Sequence, residues 1–120
     1  MTKQRQGLGR RGEELAASYL EKAGYRIVAR NYRTRAAELD IIARRRDELV
    51  FVEVKSRNST AFGSPLEAIT AAKQRKIALA AQEYLVRERL SDQASRFDVV
   101  AVSFRGGKPE IDHLVNAFEL

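Results

Sequence analysis

Apolar and polar residues alternate at every second position through residues 37–57, AELDIIARRRDELVFVEVKSR. Leu39, Ile41 and Ala43 alternate with Glu38, Asp40 and Ile42; Val50, Val52 and Val54 alternate with Phe51, Glu53 and Lys55. Successive strand residues point to opposite faces, so the pattern predicts two strands, each with one apolar face and one face bearing charge. With Arg46 and Asp47 at the tip, antiparallel pairing sets Asp40 opposite Glu53 and Glu38 opposite Lys55. Leu39, Ile41 and Ala43 then lie across from Val54, Val52 and Val50 as one core face. No glycine occupies the turn, which favours a loop over residues 45–48 rather than a strained tighter one; either keeps the register.

The flanking segments follow from the same periodicities. Residues 7–24 read as a helix with Leu15, Ala16, Tyr19, Leu20 and Ala23 on its apolar side and Gly24 as the stop. Glu13 falls at the border of that side, facing Ala16, Ala17 and Leu20, while Glu14 points nearly opposite. Residues 25–32 form a strand in which Ile27 and Ala29 alternate against Arg26, Val28 and Arg30. Residues 58–63 are a polar loop with an exposed Phe62. Ser64-Pro65-Leu66-Glu67 is a capping-box start, and Thr70 offers a second cap. Residues 65–69 can therefore form a separate turn before a helix that runs to about Glu88, with Ile77, Ala80, Ala81, Tyr84 and Leu85 inward. Residues 91–95 are a linker, and strands at 96–104 and 110–115 flank a turn at 105–108. The order αβββαββ predicts an α/β fold, a mixed sheet flanked by helices, in a single domain over residues 1–120.

Composition narrows the partners. The chain carries a net charge of +6 with a pI near 10, which favours a polyanion. An interfacial helix would carry Trp, Phe or Leu opposite a basic face; this chain has no Trp and its helices are Ala-rich, so nucleic acid is preferred over a membrane. The absence of cysteine removes thiol chemistry and Cys-based metal sites, and fits a reducing cytoplasm. The N-terminus has no apolar signal core and no run is long enough to span a bilayer, so a soluble, cytoplasmic protein is expected.

The predicted hairpin concentrates charge. Carboxylates of Asp40 and Glu53, with Cβ atoms roughly 4.5–5.5 Å apart, repel unless a cation lies between them. Mg²⁺ or Mn²⁺ suits such a pair, because hard ions keep several waters and take few protein ligands; the Val54 carbonyl is a further candidate ligand. Lys55, on the same face as Glu53, can orient a water or meet charge on a phosphate oxygen. The alternative is a solvated strand face with a Glu38–Lys55 ion pair. Glu13 could equally be a favourable charge near a helix N-terminus. Arg10 and Arg11 are candidate phosphate contacts or solubilising charge. Lys73, Arg75 and Lys76 oppose the dipole of their helix, a cost that a phosphate would relieve, although a solvated basic turn explains them as well.

Other chemistries lack parts. His113 is the only histidine, which removes His-based zinc sites and Ser–His–Asp triads, and it is expected on an edge strand. Asp98 opens a buried-looking strand as a local cap or a partner for a neighbouring Arg. Gly7, Gly9 and Gly12 match G-x-G-x-x-G formally, but no strand precedes them, and a P-loop pattern is absent.

The helix with Glu13, then Asp40, then Glu53-Val54-Lys55, resembles the D…(E/D)-x-K constellation of restriction-endonuclease-like nucleases. The chain as a whole is similar to the YraN family of small bacterial nuclease-like proteins. The matching stretches include Gly12-Glu13, Gly24-Tyr25, Arg30-Asn31-Tyr32-Arg33, Glu38-Leu39-Asp40, Val50 through Lys55, Phe62-Gly63-Ser64-Pro65, Lys73-Gln74-Arg75, Arg96-Phe97-Asp98 and Ala117-Phe118. Ala37 and Arg46 depart from it, standing where the family has glycine. The resemblance implies a restriction-endonuclease-like core and brings in Glu13 as a third acid, as in archaeal-type Holliday-junction resolvases.

The expected function is a metal-dependent phosphodiesterase on DNA, with branched or recombination intermediates as candidate substrates. The alternatives are a catalytically silent nucleic-acid-binding module of nuclease fold and an RNA-directed nuclease. Junction-cutting enzymes of this fold are often dimers, which makes a homodimer a candidate assembly that the residues themselves do not specify.

Overall fold

Helix α1 (Lys3–Lys22) leads into three strands, β1 (Arg26–Arg33), β2 (Glu38–Arg45) and β3 (Glu48–Arg57). A 3-10 turn (Pro65–Ala68) and helix α2 (Ala71–Arg87) follow, then β4 (Ser95–Arg105) and β5 (Lys108–Phe118). This computed structural model describes residues 3–57, 64–105 and 108–119, with backbone alone at 3–8 and 105. The expected loop at 58–63 with its Phe62, and the glycines of the turn at 105–108, lie outside the described residues.

The strands form one five-stranded sheet in the order β1-β2-β3-β4-β5. Only the β3–β4 step is parallel, which makes the sheet mixed, and α2 lies within that crossover connection. Helix α1 begins at Lys3 rather than Gly7, so Gly7 and Gly9 are carried inside it. It stops as expected at Gly24, whose φ of +95° suits a residue without Cβ. There the Tyr25 N–H donates to Leu20 O at 2.9 Å and the Gly24 N–H to Glu21 O at 3.1 Å. Ser64 caps the 3-10 turn and Thr70 caps α2, accepting from the Lys73 N–H at 3.1 Å, so the two-part start of this helix is as expected.

The hairpin register is the expected one from Ile41 to Arg45, with Ile41 facing Val52, Ile42 facing Phe51 and Ala43 facing Val50; the ladder ends there, so the expected pairs Asp40–Glu53, Leu39–Val54 and Glu38–Lys55 are not among its partners. The turn is tighter than expected. β2 ends at Arg45 and β3 begins at Glu48, so Arg46 and Asp47 alone make the connection, and Arg46 takes φ +57°. A side chain there is strained against its own carbonyl. Arg46→Gly is therefore expected to raise stability by about 0.5–1 kcal/mol, seen as a higher urea midpoint at unchanged slope.

Both faces of the sheet are covered, where the alternation predicted one apolar and one charged face. Ile41, Ala43, Val50, Val52, Val100 and Val102 pack under Ala16, Ala17 and Leu20 of α1. Ile42, Leu49, Phe51 and Val99 pack under Ile77, Ala80, Ala81 and Tyr84 of α2. Leu39 joins this second cluster and not Ile41 and Ala43 as expected. The cause is a break in the pleat at Asp40: the Val54 N–H donates to Asp40 Oδ2 at 2.8 Å, and Asn31 in β1 has φ +52°. A bulge between Ile27 and Ala29 likewise sends these two residues to opposite faces and leaves Val28 41 % exposed.

In β4, Asp98 is fully buried and joins β5 to Tyr25, the residue after the stop of α1. Its carboxylate accepts from Arg96 Nε at 3.0 Å, the Tyr25 hydroxyl at 3.2 Å and the Asn116 N–H at 3.0 Å, and lies 2.8 Å from His113 Nε2. The Tyr19 hydroxyl meets His113 Nδ1 at 2.9 Å. Burial raises the Asp98 pKa, but hydrogen bonds from His113, Arg96 and the Asn116 N–H outweigh it and hold the carboxyl below its ordinary range. Asp98 is thus an arginine partner, and His113 sits on the edge strand, as expected.

Candidate active site

A cleft of about 460 Å³ is lined by Gly9 and Glu13 from α1, Asp40 from β2, Glu53, Val54, Lys55 and Ser56 from β3, and Lys73 from α2. Glu53 reaches it from the central strand, with only 6 % of its surface exposed. Asp40 reaches it from the break in β2, where the Val54 N–H fixes one carboxylate oxygen. The two carboxyl groups share the cleft, and the charge of Asp40 bears on Glu53.

Electrostatics follow from this crowding. Burial, then the charge of Asp40, push Glu53 up to about 9 from its ordinary 4.5. Burial also raises Asp40, against hydrogen bonds from Glu53 and the Val54 N–H. Burial raises Glu13 too, partly offset by its hydrogen bond from Asn31. The nearest compensating cation is Lys73 Nζ, 4.0 Å from Glu53 Oε1, a loose contact. Among the described residues nothing hydrogen-bonds or ion-pairs with Lys55, which is exposed at the cleft. The expected Glu38–Lys55 ion pair is not formed: Glu38 instead pairs with Arg33 at 3.0 Å and accepts from Asn31 Nδ2 at 3.3 Å. β1 pairs Arg33 directly with Glu38, so the guanidinium is the closer cation.

A divalent ion fits this donor set. Two carboxyl groups that hold a proton against their ordinary acidity would release it to a dication, and Mg²⁺ needs only one or two protein carboxylates. Asp40, Glu53 and the Val54 carbonyl are the groups that would hold it. Among the described residues no three of His, Cys, Asp and Glu come together as a ready metal-binding group, so Glu13 stands apart from the pair.

Of the basic candidates, only Lys73 lines the cleft. Arg10, Arg75 and Lys76 are exposed beside it in the chain, and Arg75 borders a separate groove with Ala78, Leu79 and Gln82. Arg11 lies over the Phe104 ring, 4.7 Å from its centroid, on another part of the surface. Two supporting residues had no assigned task in the sequence. Asn31 Nδ2 donates to Glu13 Oε1 at 2.9 Å and also to Glu38, holding the two acids in place from a left-handed strand position. Gly12 lets α1 lie directly on β3: an added Cβ would collide with Ser56 Oγ and stand 3.1 Å from Ser56 Cβ. The only available signals were their places within the quoted motifs.

That contact sets the height of Glu13 over the sheet. Gly12→Val is expected to lower stability by about 1–3 kcal/mol, and Ser56→Gly in the same chain to restore part of it. Urea unfolding of the single and double variants measures both.

These features define an α/β protein in which buried Glu53, half-buried Asp40 and exposed Lys55 share one cleft of a mixed sheet. Residues 12–102 match the family described as Uncharacterised protein family UPF0102, and the chain belongs to it. The earlier resemblance to YraN points to the same family. The chain is 47% identical over 120 residues to a UPF0102 protein of Geobacter metallireducens, covering 100% of this chain and 98% of the relative. It is 51% identical over 120 residues to one from Syntrophotalea carbinolica, with the same coverage, 100% and 98%. A relative from Geobacter sulfurreducens is 50% identical over 114 residues, covering 94% of this chain and 89% of that one. Among the described residues, no helix is long and apolar enough to cross a membrane.

Proposed function

We propose that the chain is a divalent-metal-dependent phosphodiesterase acting on DNA in the cytoplasm, with branched or recombination intermediates as candidate substrates. The observation that carries this is the gathering of Asp40, Glu53 and Lys55 in one cleft, where burial raises the pKa of both acids and no described residue pairs with the ammonium. Mg²⁺ or Mn²⁺ held by Asp40, Glu53 and the Val54 carbonyl would supply Lewis-acid polarisation and an acidified water. Lys55 meets the developing charge on a phosphate oxygen or orients the attacking water. Glu13, steadied by Asn31, orients that side of the cleft. Lys73 offsets the buried charge before the ion binds and contacts phosphate afterwards. Arg10, Arg11, Arg75 and Lys76 are candidate contacts to more distant phosphates, which position a substrate without reading its sequence.

The test is Mg²⁺-dependent cleavage of linear, nicked and four-way DNA by the wild type and by Asp40→Asn. Equal rates for the two proteins would defeat the proposal. The rival reading is a nucleic-acid-binding module of the same fold. It predicts salt-dependent DNA binding that survives Asp40→Asn, with no turnover under any divalent ion. An RNA-directed nuclease is separated by RNA competition in the same assay.

A further inference from the structure

Two glycines stand one turn apart on α1, and their surroundings are opposite. Gly12 is buried against Ser56, and its missing Cβ is the reason helix and strand can touch. Gly9 faces the cleft, and a Cβ added there would meet no described atom within 4 Å. Inside a helix, glycine is a liability relative to alanine because it loses more backbone freedom on folding. Among the described residues, neither a left-handed φ nor a close approach of other atoms offsets that liability at Gly9. Within the formal G-x-G-x-x-G match, Gly12 is therefore a packing glycine and Gly9 is one that no described contact requires.

We infer that Gly9 keeps the wall of α1 low where a bound DNA strand passes, so that the sugar–phosphate backbone beside the reacting phosphate lies against the helix main chain. Gly9 is four residues before Glu13, about 6 Å along the helix axis, further than one phosphate group reaches. A ligand touching both the acid pair and Gly9 must continue past the reacting phosphodiester, which selects a polynucleotide over a small phosphate ester. This rests on the proposed phosphodiesterase reading and adds the path of the strand. Lys73, across the same cleft on α2, supplies positive charge along that path.

Gly9→Ala and Gly9→Leu test it, with Ser18→Ala, an exposed position of α1, as the control. Three readouts are needed: melting temperature without DNA, anisotropy of a fluorescein-labelled duplex and four-way junction in Ca²⁺, and cleavage in Mn²⁺. Gly9→Ala is expected to melt about 2–5 °C higher than the wild type. Gly9→Leu is expected to bind and cleave DNA about tenfold or more weakly, while its melting point still rises on adding Mn²⁺. Ser18→Ala leaves DNA binding unchanged. The inference is overturned if Gly9→Leu binds and cuts as well as the wild type, or if Gly9→Ala melts lower. A wild type that neither binds nor cuts DNA overturns the phosphodiesterase reading itself, and this inference with it.

Discussion

Without divalent ions, Glu53→Gln is expected to be more stable than the wild type by roughly 3 kcal/mol at about pH 7. Glu53 is 6 % exposed, and its pKa stands at about 9 against an ordinary 4.5. Between those values the folded chain keeps a proton that the unfolded chain gives up. The Glu53 contribution to wild-type stability is therefore full below pH 4.5 and declines as pH climbs toward 9. Glutamine has no proton to lose, so the two proteins coincide in acid and diverge upward. Urea unfolding in EDTA from about pH 5 to about pH 9 measures the gap. Adding Mn²⁺ should reverse the order, because an ion bound by the folded state alone stabilises the wild type and finds one carboxylate fewer in the variant. Parallel pH profiles would remove the buried acid as the source of the effect.

Asp40→Asn and Lys55→Ala are expected to fail in different ways. The asparagine carbonyl can still accept from the Val54 N–H, so the break in β2 survives and the chain folds. What it loses is the second charge of the pair, and with it both the Mn²⁺-dependent rise in melting temperature and turnover. Lys55 is exposed with no described partner, so its removal should change stability by less than about 0.5 kcal/mol. Lys55→Ala should keep the Mn²⁺ shift and still lose about a hundredfold to a thousandfold in cleavage rate, the usual effect of removing one donor aimed at developing charge. Thermal shifts and single-turnover cleavage on the same preparations separate the two. Lys55→Ala cutting at the wild-type rate would leave the ammonium without a catalytic part.

The sequence was most legible where a local period carries the information. Residues 41–43 and 50–52 pair in the register that alternation predicts, because a slip of one residue would exchange buried and exposed side chains along the whole strand. The caps at Ser64 and Thr70 were legible for the same reason, since each bonds to a backbone group two or three residues on. What sits on the second face of the sheet was not. Ile42 and Phe51 are covered by Ile77 and Tyr84, and that contact depends on where the crossover helix lands. The Arg46 turn was misjudged because the chain tolerates a left-handed arginine where glycine would serve better. Asn31 escaped notice because its hydrogen bond to Glu13 joins residues 18 apart through an irregular strand position. The arginine partner of Asp98 was legible, but the Tyr25 hydroxyl was not, since it comes from 73 residues away.

The single parallel seam of the sheet also orders its assembly. The β1-β2-β3 meander and the β4–β5 hairpin each close over short connections, whereas joining β3 to β4 waits for the whole crossover to be drawn in. Loop-closure entropy makes such long-range joins the slow ones. Glu13 and Asp40 precede the seam, Glu53 and Lys55 lie on its first strand, and Lys73 belongs to the segment that spans it. The paired acids are therefore laid down with the early half of the molecule, and the lysine that tempers them arrives with the late one.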